Sequence, residues 1–325
     1  MKRYVDKKNR WNSSLTEARL LSLKSDSMRT KLNVCYVFLA LWFLAGCGSP
    51  AESEETSTDD ITQYDAVEAA KRDVVRIDKA VFGIPSPIES AIFIKEQGSG
   101  FRDDLMLDPQ RLEYFQTNSE KALALGMYGA QLGYICLFEE NDRALEHLNA
   151  TRKLADDIGI SGAFSENLIQ RFSQNIGIED SLLVLVSDIY RSGDAYLKTN
   201  ERNDIAALVI AGGWLESLYL SGEEYVNGSE GMSDRIAEQK EGLTNLITLL
   251  KQYPENNKAA ALMEELNELK VVFDEVSTEY VFNRPEVDKA QQMTILTGDN
   301  KHNISDETLE SIIERAKIIH QSLNA

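Results

Sequence analysis

The sequence predicts an all-α fold, in which a single irregular array of about ten packed helices forms helical hairpins with no significant sheet. Apolar residues recur at three- and four-residue steps through most of the chain after residue 60. The 325 residues include only 6 prolines and 19 glycines, which suits long helices better than a β-sandwich. Hydrophobic residues make up 43% of the chain, so a substantial core is expected.

Residues 28–46 have the pattern of a bacterial lipoprotein signal peptide. Two basic residues precede the apolar run VCYVFLALWFL at 34–44, and Leu-Ala-Gly then leads directly to Cys47. The run is shorter than the ~20 residues that a membrane-spanning helix needs. A plain secretory signal does not explain a cysteine at this position. We therefore expect cleavage before Cys47 and lipidation of its thiol.

The segments around this signal complete the predicted domain organisation. Residues 1–27 are polar and charged, and we interpret them as an extended or non-native N-terminus, with either Met1 or Met28 as the true start. Residues 47–60 form the lipidated cysteine and an acidic flexible tether, and 61–325 form the helical domain. Two or more acyl chains would hold the protein on a membrane. The expected location is the cell envelope, at the outer membrane, with the periplasmic and surface faces both open.

Charge and cysteine usage exclude several functions. The 34 Lys and Arg include 9 that precede Cys47, and the 53 Asp and Glu include 3, so the mature chain has a net charge of −25. Such a surface repels phosphate backbones, and no nucleic-acid partner is expected. After cleavage and lipidation Cys136 is the remaining thiol, so the mature chain has no partner cysteine for an intramolecular disulfide.

Caps and periodicity predict the helices in chain order. Ser86-Pro87-Ile88-Glu89 is a helix start with a capping box, and Asp108-Pro109 follows the same logic. Ser305 starts the last helix, with acidic residues favourable in its first turn. A less regular stretch at 281–304 contains one possible strand, 293–296. The other predicted helices cover 65–81, 119–139, 142–158, 165–175, 178–198, 203–225, 232–253 and 258–280.

The segments 178–198 and 203–225 are the most apolar helices. Since neither has a wide polar face, we place both centrally as an antiparallel pair. Asp188 and Glu216 stand among their leucines and valines, and each needs a partner if buried. Arginines at 171, 191 and 202 are candidate partners in a structural ion pair. The three histidines lie on amphipathic or polar segments and are expected to be solvated.

No motif for catalysis, a metal or a cofactor is found, so no catalytic, cofactor-binding or metal-binding residue is predicted. Metalloprotease, di-iron, nucleophile-elbow and phosphate-loop patterns are missing from the sequence. Glycines cluster on two helices, at 126–133 and at 212–213. The functional interpretation is a pocket floor, whereas the interpretation we favour is a tight helix crossing. The pocket interpretation gives a candidate cleft lined by Tyr128, Tyr134, Arg202, Trp214, Glu216 and Tyr219.

Several stretches of residues 80–225 form a recognisable set. They are Pro85-Ser86-Pro87-Ile88-Glu89, Lys121-Ala122-Leu123, Gly126-x-Tyr128-Gly129-Ala130, Gly133-Tyr134, Tyr196-Leu197, Asn200-Glu201-Arg202 and Gly212-Gly213-Trp214-x-Glu216-x-Leu218-Tyr219. Together they resemble a family of uncharacterised helical lipoproteins from Bacteroidota-type bacteria. The resemblance implies an envelope location and a helical fold, and it implies no activity, cofactor or catalytic residue.

Three functions are compatible with these observations. The first is a non-enzymatic, membrane-anchored envelope module that binds or scaffolds an envelope protein or polymer. The second is a small-molecule carrier with a cleft near Trp214. The third is an enzyme with a dispersed site formed by Asp188, Glu216, Tyr128 and Arg202, and it has the least support in the sequence.

Overall fold

A computed structural model describes residues 3–6, 74–77, 80–163, 165–282, 286–288, 293–296 and 298–324. This part of the chain is mostly helical, which confirms the predicted all-α class. The signal peptide, Cys47 and the tether at 47–60 lie outside the described residues, so their assignments stay predictions.

The elements are named in chain order. The strands are β1 (Arg3–Asp6), β2 (Val74–Ile77), β3 (Ala80–Gly83), β4 (Ser277–Phe282), β5 (Glu286–Asp288), β6 (Met293–Leu296) and β7 (Gly298–Asn303). The helices are α1 (Pro87–Glu96), α2 (Asn118–Leu137), α3 (Asn141–Asp157), α4 (Glu166–Gln174), α5 (Glu179–Thr199), α6 (Asn203–Val226), α7 (Met232–Ala237), α8 (Gln239–Leu250), α9 (Asn257–Phe273) and α10 (Asp306–Leu323).

The chain divides into two compact units, and the smaller one contains Met1–Thr56 and Thr278–Lys301. Its described part is built from short strands. Strand β6 lies in the middle of a three-stranded sheet, parallel to β1 and antiparallel to β5. Strands β4 and β7 form a separate pair. The strand predicted at 293–296 is confirmed.

The larger unit contains Ser57–Ser277 and His302–Ala325, and it begins with a hairpin instead of the predicted helix. The prediction of a helix over 65–81 is wrong for β2 and β3. These two strands pair with each other, and Val75 lies opposite Phe82. Residues 65–73 lie outside the described residues. The sequence VVRI followed by AVFG is rich in β-branched and aromatic residues, which favour strands. Phe82 is buried and joins the hairpin to the helical core.

Three other predicted helix boundaries are wrong. No α-helix begins at Asp108-Pro109, because the Asp108 carboxylate accepts a hydrogen bond from the Gln110 amide and stabilises a turn. A single 3-10 turn, Leu112–Tyr114, follows it. The segment 232–253 is divided into α7 and α8 at Glu238. The segment 258–280 ends at Phe273, where Lys240 Nζ donates to the Asp274 and Val276 carbonyls, and β4 follows.

Side-chain caps fix the starts of several helices, although one differs from its prediction. Pro87 begins α1 as predicted, but Ser86 makes no capping hydrogen bond. The carboxylate of Glu89 pairs instead with Arg235 at 3.3 Å, so the predicted capping box does not form. A complete capping box occurs on α2, where Thr117 and Glu120 bond reciprocally. Ser305 caps α10 through the Thr308 amide, as predicted.

The centre of the larger unit is the contact between α2 and α6, and not the predicted pair of α5 and α6. A Cβ atom built on Gly126 would lie 2.0 Å from the Val209 carbonyl oxygen, and one on Gly212 would lie 2.1 Å from the Leu123 carbonyl oxygen. The two helix backbones are therefore in direct contact. Gly126 from one glycine cluster and Gly212 from the other form opposite sides of one tight crossing.

Helix α6 owes its apolar composition to this central position. Within the described part of the chain it is the one helix long and apolar enough to cross a membrane, with a mean hydropathy of 1.4. However, 83% of that window is buried inside the protein. Helices α1, α8 and α10 also pack on α6, and Gly222 lies against Ile313 of α10.

We expect Gly126→Ala to destabilise the protein by about 3 kcal/mol or to prevent folding, because the new methyl group would meet backbone atoms that cannot move aside without separating α2 from α6. Urea denaturation followed by circular dichroism measures the change. Gly193→Ala is the matched control, since a Cβ at this α5 position meets nothing within 4 Å, and it should stabilise the protein by up to about 1 kcal/mol. Equal stability of Gly126→Ala and the unmodified protein would contradict the crossing.

Candidate functional site

A chain of four hydrogen-bonded polar side chains crosses the core of the helical unit next to the glycine contact. Gln131 Nε2 on α2 donates to Glu216 Oε1 on α6 at 2.7 Å. The other oxygen of Glu216 lies 2.8 Å from His320 Nε2 on α10. His147 Nε2 on α3 lies 3.0 Å from Gln131 Oε1. We call these four residues the buried polar network; it connects four helices.

The network is closed to solvent. Gln131, His147 and Glu216 are 0% exposed, and His320 is 6% exposed. A buried carboxylate is costly unless its oxygens are paired, and here each oxygen has a partner. Because each group is bonded within the core, the network positions helices and offers no free group to an outside molecule.

Gln131 also fixes the loop that precedes α2. Its Nε2 donates to the Leu105 carbonyl at 3.2 Å, and its Oε1 accepts from the Leu107 amide at 2.8 Å. These two backbone bonds set the orientation of the amide. The Gln131 oxygen can only accept, so His147 Nε2 faces an acceptor at 3.0 Å, while Nδ1 of the same ring faces the Arg143 carbonyl oxygen at 3.2 Å.

Burial lowers the pKa of His147 from 6.5 to about 4. The contact of the ring with the Arg143 carbonyl raises the pKa, but its effect is smaller. The imidazole is therefore neutral at physiological pH. Its ring lies 5.7 Å from the ring of Tyr128, whose hydroxyl donates to the Asp108 carbonyl at 2.7 Å. Burial also raises the pKa of Tyr128, and it raises the pKa values of Tyr134 and Tyr219 to about 12. These three phenols therefore stay protonated.

His320 fixes the end of α10 on the core. Its ring stacks on Tyr219 of α6 with centroids 3.8 Å apart. Its backbone carbonyl accepts from Asn324 Nδ2 at 2.9 Å. The expectation that the histidines are solvated is therefore wrong for His147 and His320. Both lie on the buried face of an amphipathic helix at three- and four-residue spacing from apolar neighbours, which is the signal that could have located them.

The six residues of the predicted cleft do not share one cavity wall. Glu216 and Tyr219 meet at His320, and Tyr128 adjoins His147. Tyr134 packs with Phe101 and Phe138.

The other two cleft residues have separate surroundings. Trp214 is 1% exposed, and its Nε1 donates to Gln239 Oε1 at 2.9 Å. The guanidinium of Arg202 donates to the Ile158 carbonyl at the end of α3. The buried and hydrogen-bonded Trp214 indole therefore faces packed protein.

The charged residues of the apolar helices pair differently from the prediction. Glu216 is bonded to a histidine and an amide, and not to an arginine. Asp188 does pair with arginines, Arg191 and Arg171, but its side chain is 26% exposed and the pairs lie near the surface.

Cys136 is buried, and burial raises the pKa of its thiol, which suits an apolar packing role.

An apolar cavity of about 80 Å³ lies between α2, α5 and α6, and the sequence did not predict it. Among the described residues that line it, none is charged. The one hydroxyl in the lining, that of Thr151, donates to the His147 carbonyl at 2.7 Å. The lining residues are Leu125, Gly129, Leu132, Thr151, Ile160, Val186, Ile189, Gly193, Leu197, Ala206, Val209 and Ile210.

Comparison of the chain with protein-family models, with curated proteins and with solved structures found no match. In the part of the chain that the structure describes, no three His, Cys, Asp or Glu side chains are grouped so as to hold a metal ion.

We expect Glu216→Ala to lower the free energy of unfolding by about 3 kcal/mol or more, because it leaves the Gln131 amide and the His320 ring buried without their acceptor. The matched control is Glu268→Ala. Glu268 also joins a neighbouring helix to α10, through Arg315 at 2.7 Å, but both side chains are exposed, so its loss should cost less than about 1 kcal/mol. Equal losses from both substitutions in urea denaturation would refute the structural role of the network.

The free energy of unfolding should decrease as the pH is lowered, because His147 titrates differently in the folded and unfolded chains. In the unfolded chain the ring is protonated below about 6.5, whereas in the folded chain it stays neutral until about pH 4. Lowering the pH from 7 to 5 therefore favours unfolding, by about 2 kcal/mol at most from this group. Urea denaturation at intervals across this window measures the slope. His147→Gln, which keeps a donor near Gln131, should reduce the slope, and an unchanged slope would contradict the buried neutral ring.

Proposed function

We propose that this protein is an envelope lipoprotein, held on a membrane through Cys47, whose helical unit acts as a non-enzymatic binding or scaffolding module for an envelope protein or polymer. The observation that carries the proposal is the Leu-Ala-Gly-Cys sequence that ends the apolar run at 34–44. Gly48 after the cysteine is not an inner-membrane retention signal, which favours the outer membrane.

The core of the helical unit supports a binding role over catalysis. The four side chains of the buried polar network are bonded to one another, and each oxygen of Glu216 is occupied. The residues of the dispersed enzyme site are engaged separately, Asp188 with Arg191 and Arg202 with a backbone carbonyl. The resemblance to uncharacterised helical lipoproteins of Bacteroidota-type bacteria supports the location and stays a prediction.

The net charge of −25 on the mature chain favours partners that carry basic groups or none. Anionic lipid headgroups would be repelled, so the acyl chains would supply the membrane attachment. The acidic sequence GSPAESEETSTDD at 48–60 would act as a solvated spacer of at most roughly 45 Å, at ~3.3–3.6 Å per residue. A partner would therefore be met close to the membrane surface.

The test compares Cys47→Ser with the unmodified protein in cells, before and after treatment with a short chemical cross-linker. We expect the unmodified protein in the membrane fraction with a diacylated N-terminal peptide, and reproducible cross-links to one envelope component. Cys47→Ser should carry no acyl group and lose those cross-links. Cell fractionation and mass spectrometry give both readouts.

Cys35→Ala is the matched control, because Cys35 lies in the segment expected to be removed and its substitution should change neither lipidation nor cross-linking. An unmodified Cys47 with its upstream peptide intact would refute the anchor. Anchored protein without any reproducible cross-link would refute the scaffolding role.

A further inference from the structure

We propose that the cavity between α2, α5 and α6 binds one straight, uncharged aliphatic chain, such as that of a single-chain neutral amphiphile. This inference goes beyond the binding module proposed above, and it does not depend on the lipid anchor. It rests on the shape, lining and entrance of the cavity.

The lining restricts the ligand to an apolar group. The side chains around the cavity are those of leucine, isoleucine, valine and alanine, together with glycine backbone. The hydroxyl hydrogen of Thr151 is already donated to the His147 carbonyl, so it is not available to a ligand. A charged headgroup placed inside would lose its hydration with no compensating partner. The headgroup must therefore stay outside the cavity, and only hydrocarbon enters.

The volume restricts the ligand to a thin chain. An engineered apolar cavity of ~150 Å³ in another protein is large enough for benzene. The present cavity, at about 80 Å³, is smaller, so it suits the end of an aliphatic chain better than a ring. It also lacks room for the two chains of a phospholipid. A water inside would find one hydroxyl, that of Thr151, instead of the two to four polar partners that it needs, so hydrocarbon is the favoured occupant.

The cavity has an entrance at the surface. Leu132 and Val186 are buried at its inner side, whereas Gly193, Val209 and Ile210 are partly exposed. A Cβ atom on Gly193 would meet nothing within 4 Å, so the helix α5 leaves open space at this point. A chain could therefore enter between α5 and α6 with its headgroup in solvent.

The glycine at position 193 makes this space. A glycine inside a helix is unfavourable relative to alanine, and Gly193 lies in the interior of α5. A tight helix contact does not account for it, because a Cβ there would touch no neighbouring atom. The open space at this position adjoins the cavity that Gly193 lines, and a larger side chain there would close the entrance.

The experiment uses the Cys47→Ser protein, which carries no acyl chains that could themselves occupy the cavity. It is titrated with 1-octanol, while NMR follows the methyl groups of Val186, Ile189 and Ile210. We expect saturable shifts of these methyl signals. Cyclooctanol, which has a ring of the same carbon number, and octanoate, which has a charged headgroup, should each bind at least tenfold more weakly.

Two substitutions at one position separate filling of the cavity from a change in helix stability. Gly193→Leu places a side chain in the entrance and should weaken 1-octanol binding at least tenfold, whereas Gly193→Ala should change it less than threefold. Both variants should keep a melting temperature at or above that of the parent, which shows that the fold is intact. The proposal is overturned if the parent shows no saturable shift, if Gly193→Leu binds as well as the parent, or if octanoate or cyclooctanol binds more tightly than 1-octanol.

Discussion

The backbones of α2 and α6 touch, and much of the helical unit is arranged around this contact. Gly126 and Gly212 allow it, because any side chain at either position would overlap a carbonyl group of the other helix. At the same crossing Gln131 and Glu216 come within hydrogen-bonding distance. Close approach and polar pairing therefore support each other. The contact sets the separation of the helices, and the pair sets their rotation.

The buried polar network gives this apolar core a specific arrangement. Hydrophobic packing alone tolerates sliding of one helix along another, whereas a buried carboxylate with two required partners does not. Glu216 needs Gln131 on one side and His320 on the other, so α10 has one favourable position on α6. Stacking of His320 on Tyr219 strengthens the same position. The cavity lies where α5 covers α2 and α6, beyond the groups that hold the core together.

Periodicity located most of the helices because each buries one apolar stripe. The predictions for 142–158 and 203–225 match Asn141–Asp157 and Asn203–Val226 to within a residue. The hairpin at β2 and β3 was missed, since its short apolar segments also fit a helical pattern. The sequence shows both glycine clusters, but no local pattern predicts that they meet, because Gly126 and Gly212 are 86 residues apart. The polar residue type predicts solvated histidines, whereas the position of His147 and His320 on the apolar face of each helix determines their burial.

The order of the helices along the chain has a consequence for biogenesis. Glu216 and its partner His320 are 104 residues apart, so the interior around α6 is completed by a helix from the far end of the chain. Before α10 packs on α6, the Glu216 carboxylate has Gln131 as one of its two partners, and its second oxygen must stay hydrated. The native interior can thus close only when α10 arrives. A truncated chain without α10 would leave one oxygen of Glu216 without its partner and would uncover the surface of α6 on which Ile313 packs.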